Sequence, residues 1–205
     1  MHNRSQAHLA YLALERLIVT LKLKPGTLVT ERRLLELATF GRTPVREAIQ
    51  KLAWQGLIEI RARVGLQITT IRPGDRIDVM QTRRQLEPLA AALVAEHANA
   101  EAREAMSACA RQMMECADKG DLEGFLVADK MFDEMMEETC PNRFLTAALA
   151  PLQTHARRIW YASASPEKME ASVERHVKVI RSIEAADGFA AAAAMSQLMD
   201  YLAES

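Results

Sequence analysis

The sequence predicts a mostly α-helical protein: an N-terminal winged helix-turn-helix plus a C-terminal antiparallel all-helical bundle. Composition is the first reason. Of 205 residues, 49% are hydrophobic, yet aromatics make up 5% and there are only 8 Gly and 7 Pro, a balance that favours helices. Periodicity is the second, because strand-like alternation is confined to residues 57–69, with helical patterns on both sides. Charge is the third. Residues 1–75 carry 12 Lys and Arg against 6 Asp and Glu, whereas residues 76–205 carry 14 against 21. A basic third joined to an acidic remainder argues for two domains with different partners, 1–74 and 75–205, hinged at Arg72-Pro73-Gly74-Asp75.

In chain order, Leu9, Leu12, Leu14, Leu17, Ile18 and Leu21 form the apolar stripe of a first helix, which stops at Lys24-Pro25-Gly26. Thr30 then caps a short helix through Leu34, Leu35 and Ala38, and Thr39-Phe40-Gly41 is the tight connection to the next. Gly41 or Thr43 caps that third helix, Pro44 suits its first turn, and Val45, Ile49 and Leu52 form its apolar edge as far as Gln55-Gly56. Arg42 and Arg46 crowd its N-terminal turn. A cation at the positive end of the helix dipole typically costs ~0.3–1 kcal/mol, so helix stability does not explain the placement, whereas a polyanion such as DNA does. Leu57-Ile58-Glu59-Ile60-Arg61 and Leu66-Gln67-Ile68-Thr69 alternate around Ala62-Arg63-Val64-Gly65, the pattern of a two-stranded hairpin with arginines at its tip.

From Asp75 onward the pattern is helical, over residues 75–98, 101–119, 121–139, 143–164, 166–186 and 188–203, and Pro88 predicts a kink or local break in the first of these. Short connections between six helices predict a compact bundle, and the run Ala190–Ala194 reads as a close-packing surface. No apolar run reaches the roughly 18–20 residues of a membrane span and no signal peptide precedes the first helix, so a cytoplasmic protein is expected. The three cysteines, Cys109, Cys116 and Cys140, lack zinc-type spacing and read as buried thiols.

One pattern in the acidic half carries chemistry. Leu122, Phe125, Leu126, Phe132 and Met136 set an apolar stripe from which Asp129 and Asp133 project, and His176 belongs to a second stripe with Val173, Val177, Ile180 and Ile183. Two carboxylates buried together need a cation or donors beside them. His155, Arg157 and Arg158, ahead of Trp160-Tyr161, could supply cations for a carboxylate ligand, and a solvated helix face is the alternative.

Leu23-Lys24-Pro25-Gly26, Glu31-Arg32, Arg42-Thr43-Pro44-Val45-Arg46-Glu47-Ala48, Gly56-Leu57 and Gly65 together resemble the DNA-binding domain of the GntR family of bacterial transcription regulators. The second half is similar to the all-helical effector domain of the FadR subgroup, the FCD domain, through its entry motif Arg83-x-x-Leu86-Glu87-x-x-Ala90. The resemblance implies operator contacts from Arg32, Arg42, Thr43 and Arg46 and from a wing containing Arg61, Arg63 and Gly65, while Gly41 stands where the family has Ser or Thr. It places Arg83, Asp129 and His176 around an effector, and Asp133 and Arg157 complete the candidate effector-binding set. Metal-binding members carry an Asp, a His four residues later and two further histidines. Asp129 and His176 match the first and third, Asp133 replaces the second, and Leu198 falls at the fourth position. A divalent ion on Asp129, Asp133 and His176 is therefore one expectation, and a metal-free pocket holding the effector directly is the preferred one.

The function expected is a transcription regulator, acting as a repressor, that binds palindromic operator DNA as a homodimer under the control of a small metabolite such as an organic acid. The alternatives are a metal-dependent helical-bundle enzyme using Asp129, Asp133 and His176, and a winged-helix module for protein interaction.

Overall fold

The computed structural model describes residues 5–204. Its internal packing divides the chain into a first unit ending at Pro73 and a second beginning at Gly74. In the first unit, α1 (Gln6–Val19), β1 (Leu28–Val29), α2 (Glu31–Ala38), α3 (Arg42–Trp54), β2 (Ile58–Arg61) and β3 (Gly65–Ile68) follow in order. Ala10, Leu14, Ile18, Leu34, Val45, Leu52, Leu57 and Ile68 meet in one core.

Two local expectations are corrected in this unit, and one open alternative is settled. The sheet is three-stranded and antiparallel in the order β1-β3-β2, so the wing is more than a two-stranded hairpin. Its extra strand is two residues long and pairs Leu28 with Gln67 and Val29 with Leu66. Two residues cannot display an alternation, so the strand is invisible until its backbone finds a partner. Next, α1 ends at Val19, ahead of the Lys24-Pro25-Gly26 signal. The Thr20 hydroxyl donates to the Arg16 carbonyl at 2.7 Å, and Leu21 turns the chain with φ of 57°, closing the helix before its leucine stripe runs out. Finally, Gly41 rather than Thr43 occupies the N-cap of α3 and offers no side-chain acceptor, unlike Thr30, whose side chain accepts from the Arg33 N–H at the start of α2.

The second unit consists, among the described residues, of α4 (Asp75–His97), α5 (Ala100–Lys119), α6 (Leu122–Thr139), α7 (Arg143–Tyr161), α8 (Pro166–Glu184) and α9 (Gly188–Glu204). The ends carry the capping residues that the breaks require. Asn99, Asp121, Asn142 and Ser165 each accept a backbone N–H from the first turn of the following helix. Of the kink or local break expected at Pro88, the break does not occur, and α4 continues through it. Proline removes one helical donor, but Ala90, Ala91, Val94 and Ala95 beyond it are buried, and packing of α4 on α7, α8 and α9 holds both halves. Small residues also let α9 approach α4 closely. A side chain at Gly188 would lie 3.2 Å from the Ala92 carbonyl and 3.0 Å from Glu96 Oε1.

Candidate functional site

In the first unit, the candidate contact residues are surface groups on a rigid frame. Arg42, Thr43 and Arg46 occupy the exposed side of the first turns of α3, while Val45, Ala48, Ile49 and Leu52 bury its other side. Arg46 Nε donates to Glu31 Oε1 at 2.7 Å, which fixes this arginine against the start of α2. Arg32 is exposed on α2 and pairs with Glu36 at 3.2 Å. Arg61 ends β2 and pairs with Glu59 at 3.1 Å, and the Val64 N–H closes the wing turn on the Arg61 carbonyl at 3.1 Å. Arg63 occupies the left-handed region at φ of 64°, and Gly65 follows at φ of 126°, a conformation that side chains resist. The arrangement gives a basic helix start and a basic turn, with short exposed ion pairs that water and phosphate can exchange at little cost.

In the second unit, α4, α6, α7 and α8 line a cavity of about 40 Å³, open to solvent on one side, whose walls include Arg76, Arg83, Asp129, Asp133, Gln153, Arg157, Trp160 and His176. Helical spacing accounts for the central cluster. Asp129 and Asp133 share one face of α6, Gln153, Arg157 and Trp160 share one face of α7, and Ser172 and His176 are one turn apart on α8. Arg157 Nη1 donates to Asp129 Oδ2 at 3.3 Å and contacts Asp133 Oδ2 more closely. His176 Nε2 meets Asp129 Oδ1 at 3.1 Å while its Nδ1 lies 2.8 Å from the Ser172 carbonyl. Arg83 pairs with Glu87 at 2.9 Å, and Gln153 Nε2 donates to the same carboxylate at 3.2 Å.

These contacts set the protonation of the cluster. Burial alone would raise Asp129, but the hydrogen bond and charge of His176, with Arg157 and Arg83 behind, hold its carboxyl well below the usual range. Burial pushes the Asp133 carboxyl up to about 7 against the pull of Arg157, and the charges of Asp129 and Glu87 add to the rise. Burial would lower His176, yet its hydrogen bond to Asp129 and the surrounding charges raise it. With an acceptor at each ring nitrogen, the imidazolium form fits this site. Burial, followed by the charges of Asp129 and Asp133, drives the nearby Cys109 thiol to about 12, leaving it inert.

The residues do not fit a metal ion. A ligating histidine needs a free lone pair, and here both nitrogens of His176 face oxygen acceptors. The guanidinium of Arg157 already lies against both aspartates, and Leu198 at the fourth position is buried and apolar. No group of three or more His, Cys, Asp or Glu among the described residues is arranged to hold a metal. Asp129, Asp133 and His176 are thus engaged with Arg157 and with one another. Of the other cations expected near the ligand, Arg157 lines the cavity, while His155 and the fully buried Arg158 do not. Sequence reasoning missed Arg76, Gln153 and Trp160 as cavity residues. Spacing from Arg157 along α7 puts Gln153 and Trp160 on its face, but only packing shows which face is inside.

A winged helix-turn-helix with a basic recognition turn, followed by a helical bundle around a cavity with a charged cluster in its wall, defines a one-component DNA-binding transcription regulator. The chain belongs to the gntR family of bacterial regulatory proteins, in the branch that carries an FCD domain: residues 6–68 match the gntR family and residues 78–201 match the FCD domain. Relatives agree with this. A Paenarthrobacter nicotinovorans protein named "Probable D-xylose utilization operon transcriptional repressor" is 28% identical over 166 residues, covering 81% of this chain and 73% of its own. The HTH-type transcriptional repressor RspR of Escherichia coli (strain K12) is 25% identical over 198 residues, covering 95% of this chain and 86% of its own. E. coli McbR/YncC has the same fold, with a TM-score of 0.81 at 18% identity over 96% of this chain and 94% of that one.

Proposed function

We propose that this regulator is a cytoplasmic repressor that binds a palindromic operator as a homodimer and responds to a small organic acid in the cavity of the helical unit. The observation that carries the DNA reading is the exposed pair Arg42 and Arg46 at the positive end of α3, one of them oriented by Glu31. Arginine forks at that turn match guanine edges in the major groove, and the wing arginines Arg61 and Arg63 suit phosphates or the neighbouring groove. Thr43, Arg32 and the Gly65 turn complete the contact surface. A two-fold protein suits two half-sites about one helical turn apart. The repressor sense rests on the names of the two relatives. No helix among the described residues is long and apolar enough to cross a membrane.

Arg83, Asp129, Asp133, Arg157 and His176 form the polar wall of the effector cavity. We infer that the cavity works without a divalent ion, with Arg157 supplying the cation between the two aspartates. The DNA reading is tested by Arg42→Ala and Arg46→Ala on a selected operator. Each is expected to weaken specific binding by ~1–3 kcal/mol with an unchanged thermal midpoint. Wild-type affinity in both variants overturns the assignment of α3 as the recognition helix.

A further inference from the structure

The outer surface of the second unit is unevenly charged. Residues 76–205 carry 14 Lys and Arg against 21 Asp and Glu, so two copies of this unit repel one another over most of their surfaces. One face is an exception. Between Asp78 and Glu96 of α4 the charged residues are Arg83, Arg84 and Glu87. Arg83 and Glu87 are buried and pair with each other at 2.9 Å, and Arg84 pairs with Asp200 of α9 at 3.0 Å. On α7, no Lys, Arg, Asp or Glu lies between Arg143 and Arg157.

The same face is apolar. α7 packs on α4 and α6, and on its remaining side Phe144, Ala148 and Leu152 recur at helical spacing, exposed or half-buried. Phe144 is 74% exposed. On α4, Glu87 and Ala90 meet Thr146, Leu149 and Gln153 of α7. Leu86, Leu89 and Leu93 are one step further round α4, along the outer edge of that seam, and Leu89 is 49% exposed. The exposed side of α9 is also uncharged from Gly188 to Met199, but apart from Phe189 it consists of Ala, Ser and Gln. A two-fold axis suits an uncharged apolar strip, because side chains near the axis meet their own copies and any charge there would face a like charge. Two adjacent helices of this length offer a footprint of roughly 30 Å by 20 Å, about 600 Å², which approaches the ~800 Å² per partner of a standard interface.

We propose that a second copy of this chain docks on the strip formed by Leu86, Leu89 and Leu93 of α4 with Phe144, Ala148 and Leu152 of α7. The proposal rests on the homodimer reading above and gives it a surface. It also links that surface to the cavity. The same two helices carry Arg83 and Arg157 into the cavity on their inner sides, so a ligand that moves α4 against α7 from inside acts on the dimer contact outside.

The test is equilibrium sedimentation of the full chain carrying Leu89→Glu or Ala148→Glu, with Ala193→Glu on the exposed side of α9 as the control. Two-fold symmetry places two added carboxylates in each dimer. Both strip variants are expected to weaken association roughly a hundredfold or more, while Ala193→Glu associates as the wild type does. Ala148 is exposed, so its substitution should leave the fold in place, and far-ultraviolet circular dichroism of the resulting monomer checks that it does. Wild-type association in both strip variants overturns the proposal. A dimer lost only in Ala193→Glu overturns it too, moving the contact to α9 and keeping the homodimer. A wild-type chain that sediments as a monomer overturns the homodimer reading itself, and the strip falls with it.

Discussion

At the scale of single residues, Arg157 shows what a side chain can do that its place in the sequence does not reveal. From the sequence, two aspartates on an apolar stripe needed a cation. The structure supplies it from α7, 24 residues beyond Asp133. The pH dependence of stability follows from the cluster. Asp133 has a folded value of about 7 against an ordinary 3.8, so between these limits the folded chain binds more protons than the unfolded one and stability falls as pH rises. His176 is also raised, so its contribution is complete below its ordinary value and is lost as pH rises through the folded one. Asp129 is depressed and works the other way, its contribution being lost only in acid, below the ordinary carboxylate range. The thermal midpoint of the wild type is therefore expected to fall between pH 5 and pH 8, and Asp133→Asn, which fixes a neutral isostere, flattens that fall. Equal slopes in parallel melts would refute the assignment. Metal removal is a second check at this scale. Overnight chelation should change neither the melting temperature nor effector affinity, whereas near-stoichiometric zinc that disappears in His176→Ala would show that Arg157 yields its place to an ion.

Secondary-structure elements were legible where their own side chains announce them. Thr30 marks a helix start, and the stripe Phe125, Leu126, Phe132 and Met136 marks a buried face. Elements defined by a neighbour were not. Strand β1 exists because β3 offers it a free edge, and α4 continues through Pro88 because neighbouring helices hold it. Arg103 is the clearest case of one element stabilising others. From α5 its guanidinium donates to the Ala98 and Ala95 carbonyls at 3.0 and 3.1 Å and to the Glu184 carbonyl at 3.1 Å, so it caps the C-terminal ends of both α4 and α8. Arg103→Ala should lower stability by ~1–3 kcal/mol through these unpaired carbonyls. Arg103→Lys should recover only part, because an ammonium cannot span the fork. Urea denaturation of the three proteins decides this, and a wild-type midpoint for the alanine variant would show that water caps both ends equally well.

At the scale of the whole molecule, the chain divides after Pro73, and the charge asymmetry follows the same division. Each unit has its own buried core, which is the physical requirement for folding alone. A fragment beginning at Gly74 is expected to fold and to dimerise, since the proposed repressor needs its two-fold axis apart from the DNA-reading surface. Equilibrium sedimentation of that fragment against the full chain tests this. A fragment that is helical but monomeric, beside a dimeric full chain, would move the dimer contact to the first unit, and an unfolded fragment would reject the boundary.

The sequence by itself determined the order of helices, the basic turn of α3 and the family, because each is written in contiguous residues: a cap, a stripe, a motif. It also placed Asp129, Asp133 and His176 on inward faces, since helical spacing alone puts them beside buried neighbours. Only the tertiary structure decided what those faces meet. Arg157 closes on both aspartates, His176 turns both nitrogens to acceptors, and Arg76 lines the cavity from the first turn of α4. Local spacing fixes the direction of a side chain about its own helix axis. The charge it finally faces is set by packing between helices far apart in the chain, and here that packing sets Arg157 and His176 against the two aspartates.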